Sequence, residues 1–347
     1  MARLLPVMFV HGFNGDPGDW TRSGFRQHVL AHGRLDPDLV RLFDYGVADD
    51  GTYNNRGDVR QVASRLAGAG MTDLDLLTSS VDRLSQDSLA CGGPMGVTLI
   101  AHSMGGIVSR YYLSRREPDE FGTLYHGRVS RLILIGSPNR GVDALRLTQL
   151  APRDSLPWRI IRLLERLGLA PALPSQVVES WEATLYRRQL WERADLGGGG
   201  GNGAGRVLLT DSMVPEQLEP ESPFLAALNT NGTMPDAIEC HTIYGDIRIR
   251  VHVRISDRGP ALVDETFSFG DLMVAAYSAM EIPGVKAVPH PFITELCLDL
   301  TLRGAECSAC AGRAPARGPA ELLPDTQHCN LLANPAVQAT VLSLLGL

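Results

Sequence analysis

The run Ala101-His102-Ser103-Met104-Gly105-Gly106 sets a serine hydroxyl between small residues two positions before it and two after it. An apolar stretch, Val97 to Ala101, precedes the serine, and a helix-patterned stretch, Gly105 to Arg116, follows it. Strand, sharp turn and helix are the context in which a serine is lifted out of the backbone as a nucleophile. Ala101 stands where the common pattern has its first glycine, and the turn tolerates one methyl there. The same turn aims the first amides of the helix at the space where a tetrahedral oxyanion would form, so the Met104 N–H is the first candidate donor. A second lies in Val10-His11-Gly12-Phe13-Asn14-Gly15, a tight loop closing an apolar strand, where the Phe13 N–H is the candidate. The chemistry these residues suit is attack of Ser103 on an acyl carbonyl.

A serine hydroxyl is a weak nucleophile near neutral pH, so a histidine must take its proton and a carboxylate must hold that histidine in the right tautomer. Chain order serine, acid, histidine directs attention downstream. His328, in Asp325-Thr326-Gln327-His328-Cys329-Asn330, lies in a loop before the final helix Asn334 to Leu345 and is the leading base. His290, in Pro289-His290-Pro291 after a short strand Val285 to Val288, is its rival. His126 and His241 precede the late acid site, and His252 sits inside an alternating strand. Asp271, in Phe269-Gly270-Asp271-Leu272, leads as the acid, with Asp246 at the strand end Tyr244-Gly245-Asp246 competing. Asp257 and Asp264 read as exposed hairpin charges.

Apolar strand-sized runs at Leu5 to Val10, Val97 to Ala101, Arg131 to Ile135 and Ala237 to Tyr244 alternate with helix patterns such as Ser79 to Leu89. In Gly105 to Arg116, Ile107, Tyr111 and Leu113 are the buried candidates. Such alternation predicts an α/β chain with a mostly parallel sheet covered on both faces. With 347 residues and 44% hydrophobic content, one domain spanning 1–347 with insertions accounts for the length. Residues 142–205 form the first insertion, whose amphipathic stretches Trp158 to Leu169 and Val177 to Arg193 end in the flexible run Gly197 to Gly201. Ordinary helices on the core are one reading. A mobile lid, with Trp158, Ile161, Leu164 and Trp181 on its substrate side, is the sharper one. Residues 247–270 open with the period-two run Ile247 to Ile255, which has a basic face, and predict a β-hairpin with a partner strand in Ala261 to Phe269. Residues 291–327 read as a cysteine-containing loop insertion.

The charge balance, 32 basic against 39 acidic residues for a net −7, lacks the basic excess of a nucleic-acid binder. No stretch approaches the roughly 18 to 20 apolar residues of a transmembrane helix, which predicts a soluble chain. The start runs straight into a strand without a signal-peptide pattern, so the sequence as it stands predicts a cytoplasmic location, or a secreted one if a leader has been removed. Of the six cysteines, Cys297, Cys307, Cys310 and Cys329 fall close together. They offer one or two disulfides, a structural zinc on the Cys307-x-x-Cys310 spacing, or free thiols. A second close pair, usual in zinc sites, is missing. The acyl chemistry itself needs no cofactor.

Taken with Gly136-Ser137-Pro138-Asn139-Arg140-Gly141, Leu218-Glu219-Pro220-Glu221-Ser222-Pro223-Phe224-Leu225, the Gly270-Asp271 to Ser278-Ala279 stretch and Asn334-Pro335, these pieces resemble the bacterial triacylglycerol lipase and esterase group of the α/β-hydrolases. They come in the family's order and span nearly the whole chain. The resemblance implies the α/β-hydrolase fold, with Ser103 as nucleophile, Asp271 as acid, His328 as base, the Phe13 and Met104 amides as oxyanion hole, and a lid after Gly141. Some related lipases bind calcium near the histidine loop, but no oxygen-rich loop here calls for it. This chain departs from the pattern in its long alternating segment before Asp271 and in the stretch between His290 and His328.

The function expected is hydrolysis of acylglycerol-type or other apolar acyl esters, with transient contact to a lipid interface. An acyltransferase or amidase using the same residues is the alternative. A non-catalytic binding protein would be marked by a missing member of the set, and each role here has a candidate.

Overall fold

Every side chain of strand β1 (Val7–Val10) is buried, because Val7 and Phe9 face one layer of helices while Met8 and Val10 face the other. A strand covered on both faces reads as a continuous apolar run, and β3 (Val97–His102) and β4 (Val129–Ile135) follow the same rule. The computed structural model describes residues 4–13, 15–46, 57–68, 80–142, 213–254, 261–268, 270–271, 273–303, 306–311, 326–328 and 330–347.

The sheet order is β2-β1-β3-β4-β5-β7-β8, where β2 is Val40–Leu42, β5 Glu239–Arg254, β7 Ala287–Arg303 and β8 Glu306–Ala311. From β2 to β7 every pairing on this path is parallel. Strand β6 (Ala261–Ser268) pairs antiparallel with the far half of β5, and β8 pairs antiparallel with the far half of β7. Beyond Ile243 the neighbour of β5 thus changes from β4 to β6.

On one face, Trp20 of α1 (Asp19–Arg22) and Phe25 of α2 (Phe25–Leu30) pack with Phe9 at ring-centre distances of 4.6 to 5.8 Å, and a late helix, Pro335–Leu345, covers Ile133 and Ile243. Such aromatic pairs add about 0.5–1.5 kcal/mol each beyond area burial. On the other face lie α3 (Val59–Ala67), α4 (Val81–Ala90) and α5 (Met104–Ser114). Short helices α6 (Met213–Leu218), α7 (Pro223–Asn231) and α8 (Ala276–Met280) close that layer, and the late helix is α9. The start of α9 is set by its sequence: Pro335 needs no N–H partner in the first turn, and the Asn334 side chain accepts from the amides of Ala336 and Val337.

Helix α5 is buried all round. Its Arg110, 1% exposed, donates to the Asn139 carbonyl and side-chain oxygen and to Asn229 Oδ1, at 2.7 to 3.3 Å. One buried cation therefore ties the helix to the loop after β4 and to α7.

Two expectations change. Residues 291–327 do not open as a loop: β7 runs on to Arg303 and β8 folds back beside it. Of the strand expected over Val285 to Val288, only Ala287 and Val288 belong to this long strand, whose Pro289 and Pro291 stand on a half not paired by β8. Prolines are tolerated on such an edge because no neighbour needs their missing N–H groups. The segment 247–270 carries the outer part of β5 and all of β6. Its basic face is partly neutralised, since Arg250 makes a two-point contact with Asp264. Apart from Val142, the stretch 142–205, with Trp158, Ile161, Leu164 and Trp181, lies outside the described residues. So do Cys329 and the thiols of Cys297, Cys307 and Cys310.

Candidate active site

β3 ends at His102 and α5 begins at Met104, so Ser103 alone makes the turn. It does so at φ 54° and ψ −127°, in the half of backbone space that strains a side-chain-bearing residue by about 1–3 kcal/mol. Two bonds hold it there: Ser103 N–H donates to the Ile135 carbonyl at 2.9 Å, and its own carbonyl accepts from Gly106 N–H at 3.0 Å. The glycines after it are required by proximity. A Cβ on Gly105 would lie 2.4 Å from the His11 oxygen, and one on Gly106 would lie 2.0 Å from Ser137 Oγ.

Asp271, three residues after β6, and His328, in the segment before α9, come together. His328 Nδ1 lies 2.7 Å from Asp271 Oδ2, and both side chains are buried. The other carboxylate oxygen accepts from the Met273 and Val274 amides at 3.0 and 2.7 Å, which fixes the carboxylate plane. A backbone bond, His328 N–H to the Asp271 carbonyl at 2.9 Å, latches the two loops a second time. Gly136, directly after β4, sits beneath the pair at φ 57°; a Cβ there would meet Asp271 Oδ2 at 3.0 Å and His328 Nδ1 at 3.1 Å.

The competitors have other partners. Asp246 is also buried, but its oxygens take Arg248 Nε at 2.7 Å, Ser268 Oγ at 2.6 Å and Gly270 N–H at 3.3 Å. It ties the base of the β5–β6 hairpin and so sets the height from which the Asp271 turn departs. His290 Nε2 lies 3.1 Å from His241 Nδ1, and His241 Nε2 lies 2.8 Å from Glu239. Asp264 is exposed and bound to Arg250, and Asp257 lies outside the described residues.

The His11–Phe13 loop runs alongside the serine: a Cβ on Gly12 would fall 2.8 Å from Ser103 Cβ. His11 is fully buried, and burial pushes its imidazole down to about 4, more than the Gly12 carbonyl bond and the nearby carboxylates raise it. It is neutral at working pH, so its Nδ1–H donates to the Gly12 carbonyl at 3.0 Å. Met104 is fully buried as the first residue of α5, and Phe13 is half-buried with its ring against the α3–α5 layer.

Two residues near this centre escaped the sequence reading. His102 lies with its ring centre 4.8 Å from that of His328 and its Nε2 3.3 Å from the His328 carbonyl oxygen. Tyr45 stacks on His11 at 3.7 Å and donates its hydroxyl to the His11 carbonyl. Adjacency to Ser103 was the available signal for His102; for Tyr45 there was none. Among the described residues no group of three or more His, Cys, Asp or Glu side chains is placed to hold a metal, and no helix is long and apolar enough to cross a membrane.

Neither a protein-family model nor a curated protein sequence matches the chain. Among solved structures it is similar to the mature Bacillus licheniformis lipase BlEst2, at 15% identity and a TM-score of 0.45, over 99% of this chain and 92% of that one. The Staphylococcus hyicus lipase gives 12% identity and a TM-score of 0.41 over 97% and 90% of the two chains. Lipase 1 from Pelosinus fermentans gives 12% and 0.41 over 85% and 92%. Likeness that remote assigns no activity. By its own sheet order, its serine elbow between β3 and α5, and the Gly136, Asp271 and His328 segments that gather after β4, after β6 and before α9, the chain has the α/β-hydrolase fold.

Proposed function

We propose that this chain is a serine carboxylic-ester hydrolase of lipase or esterase type, with Ser103 as nucleophile, His328 as base and Asp271 as the acid that orients it. The observation that carries the reading is the buried 2.7 Å contact between His328 Nδ1 and Asp271, in loops that share Gly136 and β4 with the strained serine turn. With Nδ1–H committed to the carboxylate, His328 Nε2 keeps the lone pair that a serine proton needs. Ser103 Oγ attacks the ester carbonyl carbon as His328 takes its proton, and the oxyanion is met by the amides of Phe13 and Met104. Collapse expels the alcohol, which takes the proton from His328. Water, deprotonated by His328, then attacks the acyl-enzyme and releases the acid and the free serine.

The amphipathic stretches of residues 142–205, with Trp158, Ile161, Leu164 and Trp181, support an apolar acyl group as the preferred substrate. Hydrolysis of p-nitrophenyl esters from acetate to palmitate tests both parts. Activity that survives in Ser103→Ala, or failure of a fluorophosphonate to label Ser103 in the wild type, would remove the reading. A sole preference for acetate would remove the apolar-chain part. Transfer of the acyl group to an added alcohol in preference to water would move the assignment to an acyltransferase.

A further inference from the structure

We propose that Tyr45 is a positioning residue for the oxyanion hole, holding the His11–Gly12 peptide so that the Phe13 amide faces the substrate's carbonyl oxygen. The inference rests on the ester-hydrolase reading and adds a residue outside the reacting set.

The need for such a residue follows from where the sheet stops. The β1–β3 register ends at Val10 with Ala101, and the β1–β2 register ends at Phe9 with Leu42. His11, Gly12 and Phe13 therefore lie past the ladder that fixes peptide planes elsewhere in β1. An oxyanion donor works only if its N–H points within a few tenths of an ångström of the developing charge, and catalysis falls steeply when it does not. Something other than sheet pairing must fix these peptides.

Tyr45 lies just past β2, and its side chain takes over where the ladder ends. It is completely buried, its ring lies parallel within 28° on the His11 imidazole at 3.7 Å, and its hydroxyl donates to the His11 carbonyl. That same carbonyl abuts Gly105 of the nucleophile helix, where a Cβ would stand 2.4 Å away. The His11–Gly12 peptide is thus in contact with both the helix that carries the serine and the tyrosine. The next carbonyl, on Gly12, accepts from the His11 ring at 3.0 Å and from Gly15 N–H at 3.1 Å, so the grip is passed along the loop. Tyr45 is itself anchored. Its ring packs on Phe43 at 5.4 Å, and its carbonyl accepts from the Arg65 guanidinium on α3.

Tyr45→Phe keeps the stack and removes only the hydroxyl. Complete loss of one oxyanion donor costs about 10²–10³ in kcat. A donor that is present but no longer aimed should cost about 10–100-fold in kcat, with KM changed by less than about threefold. Affinity for an aryl boronic acid, whose serine adduct is tetrahedral and anionic, should fall by the same factor as kcat. A role in packing alone would lower the melting temperature and leave kcat and boronate affinity of the folded fraction unchanged, and that outcome overturns the inference. Arg65→Gln loosens the anchor from outside the core and serves if Tyr45→Phe does not fold. It should lower kcat in the same direction at constant KM, and an unchanged kcat would count against the idea. Fluorophosphonate labelling of the wild type separates the two layers of argument. No labelling at Ser103 sinks the hydrolase reading itself, whereas normal labelling and turnover with Tyr45→Phe equal to wild type sinks Tyr45 alone.

Discussion

Replacing Asp271 by asparagine changes one atom in a fully packed setting, and the hydrogen bonds around it determine the result. Oδ1 accepts from two backbone amides, Met273 and Val274, at 3.0 and 2.7 Å. An asparagine must put its carbonyl oxygen there, because its NH2 group has nothing to offer two donors. The NH2 then faces His328 Nδ1 across the 2.7 Å contact. The imidazole can accept that hydrogen only by moving its own proton to Nε2, which leaves no lone pair for Ser103. The fold should survive, since every donor and acceptor is still matched, while kcat should fall about 10⁴-fold, or about 5.4 kcal/mol of transition-state stabilisation. Steady-state hydrolysis of p-nitrophenyl butyrate, with urea unfolding of the same preparation, reads both quantities. A kcat for Asp271→Asn within about tenfold of wild type would refute the tautomer argument. Asp246→Asn is the matched control. It breaks the contact from Arg248 Nε at the hairpin base and should cost about 1–3 kcal/mol of stability with kcat within about tenfold. If the two variants exchanged these behaviours, the acid would be Asp246.

Two further outcomes follow from the proposed oxyanion loop. His11 titrates near 4 in the folded chain because it is buried and near 6.5 when unfolded, so the unfolded state binds the extra proton first as pH falls. The stability tied to neutral His11 is complete above pH 6.5 and is lost between pH 6.5 and 4, by about 3 kcal/mol; urea titrations across that range should show the slope in wild type and a shallower one in His11→Asn, and equal slopes would contradict it. Gly105→Ala places a methyl 2.4 and 2.6 Å from the backbone oxygens of His11 and Val10, neither of which can swing aside. It should cost about 1–3 kcal/mol in thermal or urea unfolding and lower kcat as the loop is pushed off.

The parallel core was readable because strands buried on both faces leave unbroken apolar runs, as in Val97 to Ala101 and Leu132 to Ile135. Ser103 was readable because its turn is local: the small residues around it answer contacts made within a few positions and to the adjacent strand. The outer half of β7 was missed although its signal was present. Leu296, Leu298, Leu300 and Leu302 alternate with Cys297, Asp299, Thr301 and Arg303, but Pro289 and Pro291 stand in front and read as a break. On a side that no described strand pairs they break nothing. His102 against His328 and Tyr45 against His11 are contacts between residues far apart in the chain, and no periodicity encodes them. Arg110 points the other way, since a charge within a helix pattern suggests the wet face, and only the carbonyls of Asn139 and Asn229 brought by other elements make its burial tolerable.

The long parallel register between β5 and β7 has a consequence for how such a chain can change over generations. The two strands stay paired without a slip from Cys240 opposite Ala287 to Arg254 opposite Thr301. Shortening one alone would strip the other of its neighbour, and removing an odd number of residues from either would turn its outer side chains to the opposite face. The two arms, encoded on either side of Asp271, can therefore be lost only as a matched pair. Lineages or designs that trim both back to the level of Ile247 and Thr294 would keep the contacts that hold the Asp271 turn and the His328 segment, while any that trim one would inherit an open edge beside them.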